Sequence, residues 1–132
     1  MERSRTHAFS LRVYYEDTDF SGRVYHASYL RFMERGRTEW LRELGFGHRQ
    51  LAGDAGLVFA VRSLSIEYRA PALMDDWLTV LTSLRAMRVA SFDFNQTIRR
   101  NDRELVSAEV KVVCLSNDKP TRIPDSLRRR FV

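Results

Sequence analysis

Between Val58 and Leu115, four stretches rich in β-branched and aromatic residues follow one another with only turn-sized gaps: Val58 to Tyr68, Trp77 to Leu84, Val89 to Arg99 and Leu105 to Leu115. Gaps this short make the strands largely antiparallel, because a parallel pair needs a long crossover. Each gap carries turn chemistry: Pro71 with Met74-Asp75-Asp76, then Arg85 to Arg88, then Asn101-Asp102, which reads as the clearest hairpin. A further strand comes first. Phe9, Leu11, Val13 and Tyr15 alternate with Ser10, Arg12 and Tyr14, the period of a half-buried strand.

One long helical signal lies between that first strand and the other four. Tyr29, Leu30, Met33, Gly36, Arg37, Trp40, Leu41 and Leu44 recur at three- and four-residue steps, and Gly45 suits the left-handed residue that ends a helix. Gly36 lets a neighbour pack closely against the helix. A polar segment around His48 to Asp54 follows, and Pro120 and Pro124 bracket an irregular tail. The short basic piece Asp125 to Phe131 reads as a helical turn or two, with Arg128 to Arg130 as a solvated tail. No repeat, linker or low-complexity tract divides residues 1–132, so the expectation is one domain. The order β, α, then four strands predicts an α+β layer fold in which a single helix covers one face of an antiparallel sheet.

Composition narrows what such a domain does. Apolar residues at 44% and charged residues at 30% fit a soluble globular chain. No run approaches the roughly 18 to 20 apolar residues of a membrane span, and Met1 to Arg5 lacks the apolar core of a secretory signal, so a cytoplasmic location without a transmembrane segment is expected. Twenty-two Lys and Arg against 17 Asp and Glu give a net charge of +5, which favours anionic partners of several kinds. The basic residues are scattered rather than gathered on one face with an aromatic platform, which argues against nucleic acid. Cys114, in the apolar run Val112 to Leu115, reads as a buried strand residue rather than a nucleophile. His7, His26 and His48 have no metal-ligand spacing, so no metal is expected. There is no G-x-S-x-G elbow, Walker loop, H-E-x-x-H or complete G-x-G-x-x-G.

The chemistry concentrates where the first strand hands over to the helix. Glu16-Asp17-Thr18-Asp19 and Ser21-Gly22 form an acidic turn directly ahead of the helix start. A helix N-terminus offers unpaired N–H groups and partial positive charge. The candidate caps Val24 and Tyr25 carry no side-chain oxygen suited to filling those donors, which leaves them open to a ligand. A carboxylate beside unfilled N–H groups provides the two parts that acyl transfer needs, a nucleophile or base and an oxyanion stabiliser. The plain alternative is that the acidic residues solvate the loop and favour the helix dipole.

The string VYYEDTDFSGRVYHASYLRFMERGRTEWLRELG, from Val13 to Gly45, decides between them. In Tyr15, Asp17-Thr18-Asp19, Gly22, Val24-Tyr25-His26, Tyr29 and Glu34 it resembles the 4-hydroxybenzoyl-CoA thioesterase family, within it the YbgC-like branch encoded near the Tol-Pal system in many Gram-negative bacteria. The resemblance is dense over about a quarter of the chain. It implies the hotdog fold, a curved antiparallel sheet wrapped around one long helix, assembled as a dimer or tetramer, and hydrolysis of acyl-CoA thioesters without a cofactor. By position, it puts the catalytic carboxylate on Asp19 and the carbonyl-polarising amide on His26, leaving Glu16 and Asp17 as turn and structural residues. Tyr15, Gly22, Tyr25 and Tyr29 are then candidate substrate contacts, with Met33 as a further pocket wall, the plain alternative being core residues; Arg85, Arg88 and Ser91 are the candidates to meet the phosphates of coenzyme A, the plain alternative being solvated surface residues. Two other readings stay open: a thioesterase of the same fold acting on an acyl carrier protein, and a non-enzymatic basic module that binds nucleic acid or anionic membrane.

Overall fold

A computed structural model describes residues 6–47 and 56–131; the polar segment read around His48 to Asp54 lies outside them. The chain forms β1 (Thr6–Arg12), a 3₁₀ turn (Tyr15–Asp17), α1 (Ser28–Glu43), β2 (Val58–Tyr68), β3 (Trp77–Met87), β4 (Ser91–Arg100), β5 (Arg103–Ser116), β6 (Lys119–Pro120) and α2 (Asp125–Arg130). Every pairing in the sheet is antiparallel, as the short gaps predict. The strand order is β1-β3-β4-β5-β2, with β6 folded back on the end of β5. Successive strands β2 and β3 are therefore not neighbours: β2 takes the edge beyond β5, and the chain crosses to place β3 beside β1.

Alternation sorts the two faces of the sheet. Phe92, Phe94, Gln96 and Ile98 of β4 are buried on the helix side, opposite Val112, Val110, Ala108 and Val106 of β5. Asn95, Thr97, Ser107 and Glu109 carry the polar outer face. α1 lays Tyr29, Phe32, Met33, Gly36 and Trp40 against the apolar side. Gly36 is required by contact: a Cβ there would stand 2.8 Å from Val80 Cγ1. Beside it Gln96 is buried with its polar atoms satisfied, its amide nitrogen donating to Met33 O at 3.0 Å and Thr82 Oγ1 at 2.8 Å while Oε1 accepts from Arg37 at 2.8 Å.

Beyond shifts of a few residues at strand ends, three features differ from the sequence reading. β1 ends at Arg12, because Tyr15 enters the 3₁₀ turn, although Val13 still exchanges backbone bonds with Asp75 and Asp76. Arg85, read as a turn residue, lies inside β3 at a bulge between Leu84 and Ala86, so the turn shrinks to the segment closed by Arg88 N donating to Ser91 O at 2.8 Å. The basic tail is docked rather than wholly solvated: Leu127 and Phe131 are buried, and Arg128 donates to Arg88 O at 2.7 Å. Cys114 is fully buried in β5, and burial pushes its thiol up. Among the described residues no helix is long and apolar enough to cross a membrane.

Candidate active site

The loop after β1 is built on Asp17, not Asp19. Asp17 is buried, its carboxylate accepts from Tyr14 N at 2.9 Å, and its carbonyl accepts from Tyr25 N at 2.9 Å and Ser28 Oγ at 3.0 Å. It ties the loop to the start of α1, the structural role expected of it. Beyond it the backbone doubles back between Thr18 and Val24, with Asp19 N donating to Arg23 O at 2.9 Å and Gly22 at φ +82 making the turn. This carries Asp19 to the surface, where Oδ1 accepts from Ser21 N at 2.8 Å and from the Ser21 hydroxyl. Those Ser21 bonds, with a smaller contribution from Arg23, hold the Asp19 carboxyl below the usual carboxylate range.

The helix begins later than Val24 and Tyr25 suggest. Its N-cap is Ala27, which has no side-chain oxygen, so the expectation of an uncapped start holds at a different residue. Ser28 N donates to Tyr25 O at 2.8 Å, making His26 and Ala27 the central residues of a turn. Such a turn pairs its ends and leaves its central N–H groups free. Among the described residues the His26 N–H has no acceptor.

Asp19 and His26 share one cleft of about 480 Å³, whose walls include Tyr29, Tyr68, Arg69 and Pro71. Tyr29 is buried, its hydroxyl accepts from Ala72 N at 2.9 Å, and burial raises its ionisation range. Tyr15, 80% exposed, and Tyr25, 46% exposed, do not line this cleft, nor does Gly22. Met33 is core, facing a separate apolar groove of about 440 Å³ between α1 and β2. The sequence reading did not single out Ser21, Arg23 or Tyr68. Ser21 stands two residues from Asp19, a spacing at which a hydroxyl and an amide both reach the carboxylate, whereas nothing in the pattern of β2 marks Tyr68.

Arg85 and Arg88 line a second pocket of about 300 Å³ with Ser63, Ser65 and Lys111 on the outer face of the sheet. Both meet Asp93, and Arg85 Nε also approaches Glu109 at 3.5 Å. Ser91 is buried and does not line that pocket. No residue is common to this pocket and the Asp19 cleft.

A sequence profile of the Thioesterase-like superfamily matches residues 13–131. The chain belongs to this superfamily. A relative from Haemophilus influenzae named acyl-CoA thioesterase YbgC is 44% identical over 126 residues, 94% of this chain and 93% of its own. The crystal structure of a probable thioesterase from Bartonella henselae, 44% identical, superposes with a TM-score of 0.87 and covers 90% of this chain and 99% of its own. 4-Hydroxybenzoyl CoA thioesterase from Pseudomonas sp. strain CBS-3, at 21% identity, shares the fold with a TM-score of 0.90, covering 96% of this chain and 99% of its own. This thioesterase-like chain has the hotdog fold, in its YbgC-like form.

Proposed function

We propose that the protein hydrolyses acyl-CoA thioesters to a free carboxylic acid and coenzyme A, with Asp19 and the His26 amide as the reacting machinery. The observation that carries this is one cleft lined on adjoining segments by Asp19, whose carboxyl is held in its ionised form, and by His26, whose backbone N–H has no acceptor among the described residues. The names of the YbgC relatives support the substrate class. As the thioester carbonyl is attacked its oxygen gains negative charge, and a donor fixed beforehand at His26 stabilises that state more than the ground state. Asp19 acts in one of two ways. As nucleophile it expels the coenzyme A thiolate and forms a mixed anhydride that water then cleaves; as general base it takes a proton from the attacking water. Label found in the Asp19 carboxylate after successive turnovers in ¹⁸O water identifies the anhydride route with water attacking the aspartyl carbonyl, since a general base gains none. The His26 ring orients water or carboxylate in the cleft that His26 lines.

The nucleotide end of coenzyme A is assigned to the Arg85 and Arg88 pocket, where the arginines must exchange Asp93 and Glu109 for phosphate. Assembly follows from the edge of β2, where Val58, Val61, Leu64 and Tyr68 are exposed next to the apolar groove. A sheet edge that exposes apolar side chains is protected most directly by pairing with a second copy, giving a cytoplasmic homodimer or a tetramer built from it. The direct test is hydrolysis of a panel of acyl-CoAs alongside the same acyl groups on an acyl carrier protein. Turnover of the CoA esters is expected. Turnover of the carrier esters alone transfers the reading to the carrier substrate, and turnover of neither removes the enzyme.

A further inference from the structure

Tyr68 closes β2 where that strand reaches the start of α1, and its hydroxyl donates to the carbonyl oxygen of His26 at 2.9 Å. Two peptide planes meet at His26. The one before it carries the His26 N–H and is held through its own carbonyl, Tyr25 O, which accepts from Ser28 N at 2.8 Å. The one after it carries the Ala27 N–H and is held by Tyr68. Among the described residues no other side chain bonds to the backbone of His26. Tyr68 is itself well anchored: it pairs with Val106, the next two amides, Arg69 N and Ala70 N, donate to Leu105 O at 2.8 and 3.2 Å, and its ring packs on Tyr29 with centroids 5.5 Å apart.

We propose that Tyr68 is a positioning residue for thioester hydrolysis, holding the helix-start turn so that the His26 N–H points into the cleft at the developing oxyanion. This rests on the roles given above to Asp19 and His26. The turn at residues 25–28 has no side-chain cap, so without Tyr68 the second plane is held only through the turn itself, and tilting it loosens the Ser28 N to Tyr25 O bond that fixes the first plane and its His26 N–H. Oxyanion donors act through orientation fixed before the reaction, and a misplacement on the order of 1 Å is enough to cost up to about a hundredfold in rate. Tyr29 makes an instructive contrast, because its hydroxyl accepts from the buried Ala72 amide, a structural bond behind the cleft.

The test replaces one oxygen atom. Tyr68→Phe is expected to lower kcat for acyl-CoA hydrolysis by about tenfold, the scale of one hydrogen bond, while KM, competitive inhibition by free coenzyme A and the melting midpoint stay near wild type. Tyr29→Phe, which orphans a buried N–H, is expected to lower the melting midpoint. Should kcat of Tyr68→Phe equal that of wild type, or should kcat fall only in step with the melting midpoint, the bond is structural and the proposal is wrong. Measured in the same assay, an Asp19→Asn protein as active as wild type would overturn the catalytic reading together with this one. An inactive Asp19→Asn with an unaltered Tyr68→Phe overturns this one alone.

Discussion

At the scale of single residues, two aspartates two positions apart have opposite environments. Asp17 is buried and holds the loop, and Asp19 is exposed with Ser21 and, to a smaller extent, Arg23 steadying its charge. Because the Asp19 carboxyl ionises below the usual range, the acid limb of kcat/KM is expected to lie below the ordinary aspartate pKa, with activity retained above it. Ser21→Ala removes the larger of the bonds favouring the charged form, so the limb should move to higher pH. A pH profile of kcat/KM checks the sign, and a limb that stays in place or moves down would remove Ser21 from the account. Asp19 was legible as a candidate through the resemblance carried by the string from Val13 to Gly45, since the acidic turn alone also suits a solvated loop. Tyr68 was not, because it reaches His26 across 42 residues of chain, and strand alternation marks faces without marking which far-off backbone a side chain meets.

At the scale of elements, β2 matches its sequence reading residue for residue and α1 begins one residue earlier than its periodic signal, because both have strong periodicity bounded by turn residues. Strand order was not legible. Antiparallel character follows from gap length, but the gap at 69–76 is compatible with a hairpin and is instead used to cross the sheet. The bulge at Arg85 was hidden because basic residues at a strand end read as turn. Gly36 was legible as a close contact, and its cost is now specific. Gly36→Ala gains helix propensity of up to about 1 kcal/mol, but its methyl meets Val80 Cγ1 at 2.8 Å. Val80 is fully buried and β-branched and has little freedom to move. Overpacking costs about 1 to 3 kcal/mol and should win. Thermal unfolding of Gly36→Ala is expected a few degrees below wild type, and a higher midpoint would mean the contact relaxes more freely than the packing implies.

At the scale of the whole molecule, the positive surface and the hotdog architecture bear on the substrate from outside the cleft. If Arg85 and Arg88 take the phosphates, added salt should raise KM for acyl-CoA and leave kcat nearly unchanged, since exposed ion pairs are screened and individually worth only about 0 to 1 kcal/mol. Replacing both arginines should mimic salt, and a pantetheine thioester lacking the nucleotide should respond to neither change. Loss of kcat on the truncated thioester would move the nucleotide site elsewhere. The β2 edge predicts a dimer or tetramer by light scattering at micromolar concentration, and a strict monomer there would contradict the assembly. The most direct test of the whole account is hydrolysis of acyl-CoA by Asp19→Asn, a change that keeps size and removes the carboxylate charge. The expected result is a fall of at least about a hundredfold, with the melting midpoint and coenzyme A binding preserved and Asp17→Asn much less affected in rate. A well-folded Asp19→Asn protein that turns over acyl-CoA at close to the wild-type rate would contradict it.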